Sequence, residues 1–251
     1  MKVIAVIAAK GGVGKSSVAI SLAAALGQKG KKILLIDSDP RAQLTEWLDV
    51  GDGFTWEGTL VSALLEKESI TDVIQPTDIK GVSIIAGAAL LHECEDKMKQ
   101  LSDYHSMYAA HLDLLPKELF DFVILDCPDG VNTLMQNSIF AAQVIVVPFD
   151  STKAVKTYPN LYSLIHKMRP KKDYKLLHLL YKIPLPGLRK DIVKIMQDNG
   201  LSIAKTEIRS CGWLAKVDEH GGSIFDYRPE SNGAKDIMAF TDELLKTIRK
   251  S

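Results

Sequence analysis

The stretch AAKGGVGKSS, residues 8–17, follows the short apolar run VIAVI and precedes a helix-like segment. Glycines between a strand and a helix leave backbone N–H groups free to bind phosphate, and the helix N-terminus adds the positive end of its dipole. Lys15 stands where a lysine contacts the outer phosphates, and Ser16 where a hydroxyl contacts Mg²⁺. The stretch therefore predicts a nucleotide-binding phosphate loop. The nucleotide contacts predicted in it are Gly11, Gly12, Val13, Gly14, Lys15, Ser16 and Ser17.

Short β-branched apolar runs alternate with longer helix-like segments along the rest of the chain. The runs are 32–37, 82–86, 122–126, 144–148 and 175–181, and the helix-like segments are 15–29, 59–67, 132–142, 155–168, 188–198 and 234–249. This alternation predicts an α/β fold, in which a doubly wound, mainly parallel central sheet is flanked by helices on both faces. Residues 87–118 show no clear strand and are expected to form helices beside the sheet. We see no linker or repeat and expect a single domain over residues 1–251.

Composition is that of an ordinary globular protein, with 46% hydrophobic and 25% charged residues. No run approaches the roughly 18 apolar residues of a membrane span, and the N-terminus lacks a signal-peptide pattern, so we expect a cytoplasmic protein. The three cysteines, Cys94, Cys127 and Cys211, fit neither a disulfide framework nor a zinc spacing. We interpret them as reduced thiols, with Cys127 as a small buried side chain.

Charge is balanced over the whole chain, with 31 basic and 31 acidic residues, but it is unevenly distributed. Residues 126–251 hold 19 Lys and Arg against 14 Asp and Glu, which leaves 19 − 14 = +5. A surface that binds a polyanion is therefore expected in the second half of the chain.

The glycine-rich stretch also holds a second lysine, Lys10, and has Ala9 where the usual loop, G-x-x-x-x-G-K-S, begins with glycine. Both features resemble the deviant Walker A box of the MinD/ParA superfamily, whose first position need not be glycine. The resemblance implies a P-loop ATPase that uses ATP and Mg²⁺ and forms an ATP-dependent homodimer. It also implies that Lys10 reaches across the dimer to the nucleotide of the partner subunit. The resemblance spans nearly the whole chain.

Two apolar runs end in carboxylates, ILLIDSDP and FVILDCP. Ligands of parallel sheets bind at the carboxyl ends of strands, so these acids are expected near the phosphate loop. The first run resembles the switch I segment of ParA proteins, which implies that Asp39 orients or activates the attacking water. Alternation along the strand points Asp37 in the same direction as Asp39, so Asp37 is expected in the metal shell. The second run has the form of a Walker B segment, in which Asp126 serves Mg²⁺ together with Ser16.

Three positions depart from the ParA pattern. Arg41 stands where the family usually has glutamine, and Asp129 replaces the second proline of Asp-Cys-Pro-Pro. We expect Asp129 to cap the helix that begins near Asn132, the alternative being a charge near the γ-phosphate. Further along, the segment that contains Asp150 does not clearly match the family's acidic box.

Two more residues are candidates only through the resemblance. In related proteins the stretches that correspond to those around Tyr181 and Arg209 flank the adenine. The resemblance therefore implies that these two side chains contribute to nucleotide binding.

The first functional hypothesis is a ParA-type partition ATPase that segregates or positions plasmid or chromosome DNA. Its ATP dimer would bind nonspecific DNA, which places it on the nucleoid, and a ParB-like partner would stimulate hydrolysis. The densest basic cluster is HKMRPKKDYK, residues 166–175. Further candidates for phosphate contacts are Arg189, Lys190, Arg209, Arg249 and Lys250.

Two alternatives stay open. A MinD-like or orphan ParA-like ATPase would position a membrane-bound or protein cargo. The last helix carries Asp236, Asp242 and Glu243, so we expect it to pack on the protein and expect no stable membrane binding. An ATP-dependent metabolic ligase of the dethiobiotin synthetase type would share the fold without needing Lys10 from a partner subunit.

Overall fold

Seven strands form one sheet in the computed structural model, which describes residues 1–171, 173–216 and 221–249. They are β1 (Lys2–Val6), β2 (Ile33–Asp37), β3 (Ile74–Pro76), β4 (Val82–Ile85), β5 (Phe122–Asp126), β6 (Val144–Phe149) and β7 (Lys175–Leu180). Their order is β3-β4-β2-β5-β1-β6-β7, and all neighbouring pairs are parallel except β3 and β4. The predicted mainly parallel sheet is confirmed, and β3 is a short antiparallel edge strand that the sequence pattern missed.

Helices connect the strands on both faces. They are α1 (Lys15–Gln28), α2 (Gln43–Trp47), α3 (Leu60–Leu64), α4 (Leu91–Met98), α5 (Met107–Asp113), α6 (Thr133–Ala141), α7 (Thr152–Met168), α8 (Pro186–Asp198), α9 (Ile224–Tyr227) and α10 (Asn232–Arg249). Among the described residues, short 3₁₀ segments lie at Tyr104–Ser106 and Leu214–Lys216. The helices expected in residues 87–118 are α4 and α5.

Helices α7 and α3 differ most from the sequence prediction, for local reasons. Helix α7 begins before residue 155 because the Ser151 hydroxyl accepts a hydrogen bond from Ala154 N and caps the first turn. Helix α3 is shorter than residues 59–67 because Thr59 caps it at one end and Glu66, at φ 54°, lies in the left-handed region just beyond the other.

Alternate side chains of the central strands enter two separate cores. In β1, Val3 and Ala5 point to the face covered by α3 to α8, while Ile4 and Val6 point to the face covered by α1 and α10. Nearly all of these strands are buried on both sides, which explains why their sequences lack polar alternation. The apolar side of α10, including Phe240, is buried in the second core, as expected for a packed helix.

Bilayer-spanning segments are not found in the described parts of the chain, where no helix is both long and apolar enough. The three cysteines are free thiols, and Cys127 is fully buried, as predicted. Burial is the main cause that raises the pKa of the Cys127 thiol to about 12, so it stays protonated at neutral pH.

Candidate functional site

The phosphate loop lies between β1 and α1, at the carboxyl edge of the sheet. Gly12 and Gly14 have φ values of 74° and 90°, in the left-handed region where a side chain would be strained. The first intrahelical hydrogen bond runs from Val18 N to Gly14 O, so the N–H groups before it point out of the open helix end. Val13 is buried and can offer a ligand only its backbone. The loop therefore has the conformation that an anion site requires.

Lys15 extends from the first residue of α1 into this site and is almost fully buried. Its Nζ contacts Oδ1 of Asp129, which belongs to the loop after β5. The other oxygen of Asp129 accepts a hydrogen bond of 2.7 Å from Nη2 of Arg41. Although partial burial of the carboxyl opposes it, contact with Lys15 and then with Arg41 lowers the pKa of Asp129. The carboxylate thus connects the two cations at neutral pH.

Asp129 does not cap α6, so that prediction is wrong. The cap is Asn132, whose Oδ1 accepts from Met135 N at 2.8 Å. The Asp129 side chain is drawn to the two cations instead, because an exposed helix cap offers a carboxylate only neutral N–H donors. An acid where related chains have proline was the signal in the sequence, and the alternative reading, a charge inside the phosphate site, agrees with its position.

Asp126 ends β5 beside the loop and is completely buried. Its two carboxylate oxygens have no hydrogen-bond partner among the described residues. Burial, followed by the nearby charge of Asp37, raises the pKa of Asp126 to about 8, while the charge of Lys15 acts in the opposite direction. Buried acids without partners are costly, and they commonly face a ligand that completes them. Asp126 and Ser16 therefore fit a hydrated Mg²⁺, a cation that prefers oxygen ligands and keeps several waters.

Asp37 lies beside Asp126 in the register of β2 and β5 and is also fully buried. Its Oδ2 accepts from Thr45 N at 3.0 Å and from Thr45 Oγ1 at 2.8 Å, and its Oδ1 accepts from Asp39 N at 3.2 Å. Burial raises the pKa of Asp37 to about 6, against the opposing effect of these hydrogen bonds. Its oxygens thus anchor α2 to the sheet, and an outer metal-shell role stays a prediction. Thr45 was not identified from the sequence.

Asp39 is buried and held by the side chain that follows it two residues later. Arg41 donates from Nη2 to Oδ2 of Asp39 at 2.7 Å and from Nε to Oδ1 at 3.2 Å. The arginine itself has about half of its side chain exposed, 52%. Both oxygens of the acid predicted to orient water are therefore occupied by Arg41 in this structure.

Lys10 has a different acidic partner from Lys15. Its Nζ lies 3.0 and 3.2 Å from the two carboxylate oxygens of Asp150 and 3.3 Å from the Ser151 hydroxyl. Asp150 directly follows β6, the strand next to β1. The two loop lysines thus pair with separate carboxylates. Lys15 pairs with Asp129 at the phosphate loop, and Lys10 pairs with Asp150 just before α7. Asp150 is a contact that the sequence analysis did not identify.

The sequence profile of the AAA domain family matches residues 1–177, more than two thirds of the chain. The chain belongs to this family. It is an ATPase of the ParA/MinD type, and two such relatives match it along nearly their whole length. The family and the ATPase activity predicted from the glycine-rich loop are thereby confirmed.

Three similar proteins illustrate the relationship. The chain is 24% identical to the sporulation initiation inhibitor protein Soj of Bacillus subtilis, over 97% of this chain and 98% of Soj. It is 27% identical to a ParA family protein of Chlamydia trachomatis, over 99% of each. Cobyrinic acid a,c-diamide synthase from Mycobacterium smegmatis, solved with an ATP analogue and magnesium, superposes with a TM-score of 0.84 at 25% identity, over 99% of this chain and 96% of that one. The ATP analogue and magnesium in that structure correspond to the cofactors predicted for this chain, ATP and Mg²⁺.

The two adenine candidates of this ParA/MinD-type ATPase lie in different surroundings. Tyr181 is 1% exposed, and a Cβ placed on Gly14 would come within 2.4 Å of its Cε1 atom. Its buried ring therefore packs against the phosphate loop at Gly14 and leaves no ring face exposed to an adenine base. Arg209 is exposed, and Asp236 accepts from its Nε at 2.9 Å and from its Nη2 at 2.8 Å. An adenine contact by Arg209 stays a prediction.

The basic cluster at residues 166–175 is only partly available to a polyanion. Arg169 is not available, because its Nη1 donates to three backbone carbonyls at the end of α6 and its side chain is only 12% exposed. Its assignment as a DNA contact is corrected to a structural role. Exposed lysines in the cluster are Lys167, Lys171 and Lys175. Lys172 and Lys250 lie outside the described residues.

The other basic candidates are spread over α8 and α10. Arg189 is paired with Glu207, whereas Lys190 and Arg249 are exposed. Lys175 opens β7, so the cluster lies at the amino edge of the sheet, opposite the phosphate loop. A polyanion bound there would not compete with nucleotide.

Proposed function

We propose that this chain is an ATP-dependent dimerising switch that hydrolyses ATP and thereby positions or segregates cargo. The observation that carries the proposal is the separation of the two loop lysines. Lys15 occupies the chain's own phosphate cradle, whereas Lys10 is held outside it by Asp150. A loop with a spare lysine directed elsewhere supports a site that a second copy of the chain completes.

Phosphoryl transfer depends on placing charge and orienting the nucleophile. Lys15 and the N–H groups of the loop would bind the β- and γ-phosphates, and Asp39 would orient the attacking water once its carboxylate is released by Arg41. Asp126 and Ser16 would hold hydrated Mg²⁺, which would offset the charge of the outer phosphate oxygens. These are the roles that the positions and burial of the four side chains support.

Lys10 can change partners at little cost. The side chains of Lys10 and Asp150 are 25% and 23% exposed, and a partly solvated ion pair of this kind contributes roughly 0 to 1 kcal/mol. A phosphate in a dimer interface would bind the Lys10 ammonium more strongly than Asp150 does. The phosphate carries more negative charge than a carboxylate, and the interface excludes water. ATP would therefore favour the dimer, and hydrolysis would release it.

Lys10→Ala tests the dimer directly. We expect the variant to bind ATP but to lose ATP-dependent dimerisation and turnover, because a charge supplied in trans is worth about 10³ to 10⁵ in related chemistry. Light scattering with ATP or ADP measures the dimer, and phosphate release measures turnover. Lys156→Ala, an exposed lysine on α7, is the matched control. If Lys10→Ala dimerises and hydrolyses ATP like the control, the switch proposal is wrong.

Nonspecific DNA is the polyanion that we propose for the ATP-bound dimer, with nucleoid association as the consequence. Lys167, Lys171 and Lys175 support this proposal as exposed cations at one edge of the sheet. Replacing all three by alanine should weaken DNA binding and reduce the slope of log K against log salt by up to about 3, one per lost phosphate contact. Binding that is equal with ATP and ADP would contradict the switch.

We propose a ParB-like protein as the activator of ATP hydrolysis. The cargo that the switch segregates or positions would be plasmid or chromosome DNA. Stimulated ATP turnover on addition of a candidate partner would support it. A chain that binds anionic vesicles with ATP but no DNA would support the MinD-like or orphan alternative, which positions a membrane-bound or protein cargo.

A second candidate is an ATP-dependent metabolic ligase of the dethiobiotin synthetase type. The similarity to the Mycobacterium smegmatis synthase, at a TM-score of 0.84, favours this possibility. A ligase site completed within one chain has no need of Lys10 from a partner. Full turnover by Lys10→Ala only in the presence of a carboxylic acid substrate would therefore favour the ligase over the switch.

A further inference from the structure

The carboxylate of Asp129 lies inside the phosphate cradle itself. A Cβ placed on Gly11 would be 2.6 Å from Oδ2 of Asp129, so the carboxylate rests directly against the bare backbone of the loop. One oxygen contacts Lys15, the lysine that holds nucleotide phosphate, and the other accepts from Arg41. An anion thus already occupies the space between the loop, a lysine and an arginine.

These contacts are the ones that a terminal phosphate would make. Arginine presents a planar set of donors that suits carboxylate and phosphate equally, and lysine binds either as a point charge. Arg41 is half exposed, which leaves its guanidinium room to follow a ligand. The protein therefore places its own anion between two cations, one of which, Arg41, also pairs with Asp39.

Arg41 also connects this position to the acid next to it. Its Nη2 lies 2.7 Å from both Oδ2 of Asp39 and Oδ2 of Asp129. This nitrogen donates to both carboxylates, so it loses one of its two bonds when Asp129 leaves. A doubly charged phosphate that arrives in the place of Asp129 would attract it more strongly than Asp39 does. Movement of Arg41 toward the phosphate would take this donor away from Asp39.

We propose that Arg41 is a phosphate-binding residue for the γ-phosphate of ATP, and that Asp129 occupies its binding position until nucleotide arrives. ATP displaces Asp129 from Lys15, Arg41 exchanges that carboxylate for the γ-phosphate, and Asp39 regains an oxygen to orient water. The residue thereby distinguishes ATP from ADP within one chain. This inference rests on the proposed ATPase site, because it specifies which residue that site uses for the third phosphate.

Calorimetric titration of the full chain with Mg²⁺ and either ADP or a non-hydrolysable ATP analogue tests the proposal. Arg41→Ala should bind the ATP analogue at least about tenfold more weakly, the loss of one charge-assisted hydrogen bond, and should bind ADP within about twofold of wild type. Asp129→Asn should bind both nucleotides more tightly, because the internal competitor for Lys15 loses its charge. Arg189→Ala, a half-exposed arginine paired with Glu207, is the matched control and should behave like wild type.

Arg41→Lys guards against a folding defect in Arg41→Ala. It keeps the charge but not the planar donors, so we expect an intermediate loss for the ATP analogue and unchanged thermal melting. An unchanged ratio of ATP-analogue to ADP affinity in Arg41→Ala and Arg41→Lys would overturn the proposal, as would Asp129→Asn that binds neither nucleotide more tightly. If wild type itself bound no nucleotide, the proposed function would fail as well; unaltered discrimination in the variants would refute this inference alone.

Discussion

Asp126→Asn should make the nucleotide-free protein more stable while it removes Mg²⁺-dependent turnover. Asp126 is fully buried, its carboxylate oxygens lack hydrogen-bond partners among the described residues, and its pKa is raised from 3.8 to about 8. Asparagine has nearly the same shape but does not ionise. The variant therefore removes the charge and leaves the packing at the end of β5 almost unchanged.

The sign and size of the effect follow from proton linkage. Between pH 3.8 and about 8 the unfolded chain has lost the Asp126 proton and the folded chain retains it. The free energy of unfolding of wild type therefore falls as pH rises, by up to about 1.4 kcal/mol per pH unit from this group. Asp126→Asn lacks this dependence, so its advantage over wild type should grow from pH 5 to about pH 8 and then level off.

Urea unfolding of chelator-treated protein at pH 5, 6, 7 and 8 measures this advantage. Asp37, whose pKa is raised to about 6, adds a similar dependence at lower pH in both proteins and cancels in the difference. Asp191→Asn, which changes an exposed carboxylate on α8, is the control and should parallel wild type. Equal pH dependence in wild type and Asp126→Asn would refute the assignment of Asp126 as a desolvated acid.

Three further substitutions test the site and its supports. Gly14→Ala should abolish nucleotide binding, because its Cβ would come within 2.4 Å of Tyr181 at a φ of 90°, which strains any side chain; nucleotide titration measures this. Arg169→Ala should destabilise the fold by about 2 to 4 kcal/mol in urea, because it leaves three partly buried carbonyls at the end of α6 without their donor. Thr45→Val should cost about 1 to 3 kcal/mol of stability and loosen the segment between β2 and α2, because the Asp37 carboxylate loses a donated hydrogen bond.

Each of these has a matched control. Gly187→Ala, where an added Cβ meets no atom within 4 Å, should bind nucleotide like wild type. Arg189→Ala removes a half-exposed arginine and should change stability by less than about 1 kcal/mol. Thr71→Val alters an exposed hydroxyl and should be nearly neutral. Unfolding free energies of Arg169→Ala or Thr45→Val that match their controls would contradict the roles given to those side chains.

Local patterns were reliable where a residue's environment depends on its own element. Buried parallel strands read as continuous apolar runs, and glycines at a strand-to-helix turn specify the phosphate loop, so these features were predicted from short stretches of sequence. Asp129 shows where such reasoning stops. Its position three residues before Asn132, where a helix was expected to begin, suggested a helix cap, but its side chain responds to cations from two other segments.

The sequence by itself determined the parallel α/β architecture, the phosphate loop and the presence of carboxylates at the ends of β2 and β5. It did so because hydrophobic periodicity and glycine conformation are properties of neighbouring residues. Only the tertiary structure decided how the charges pair, with Lys10 on Asp150, Lys15 on Asp129, and Arg41 between two acids. Charge pairing depends on distances between residues as much as 140 positions apart in the chain, which no local pattern encodes.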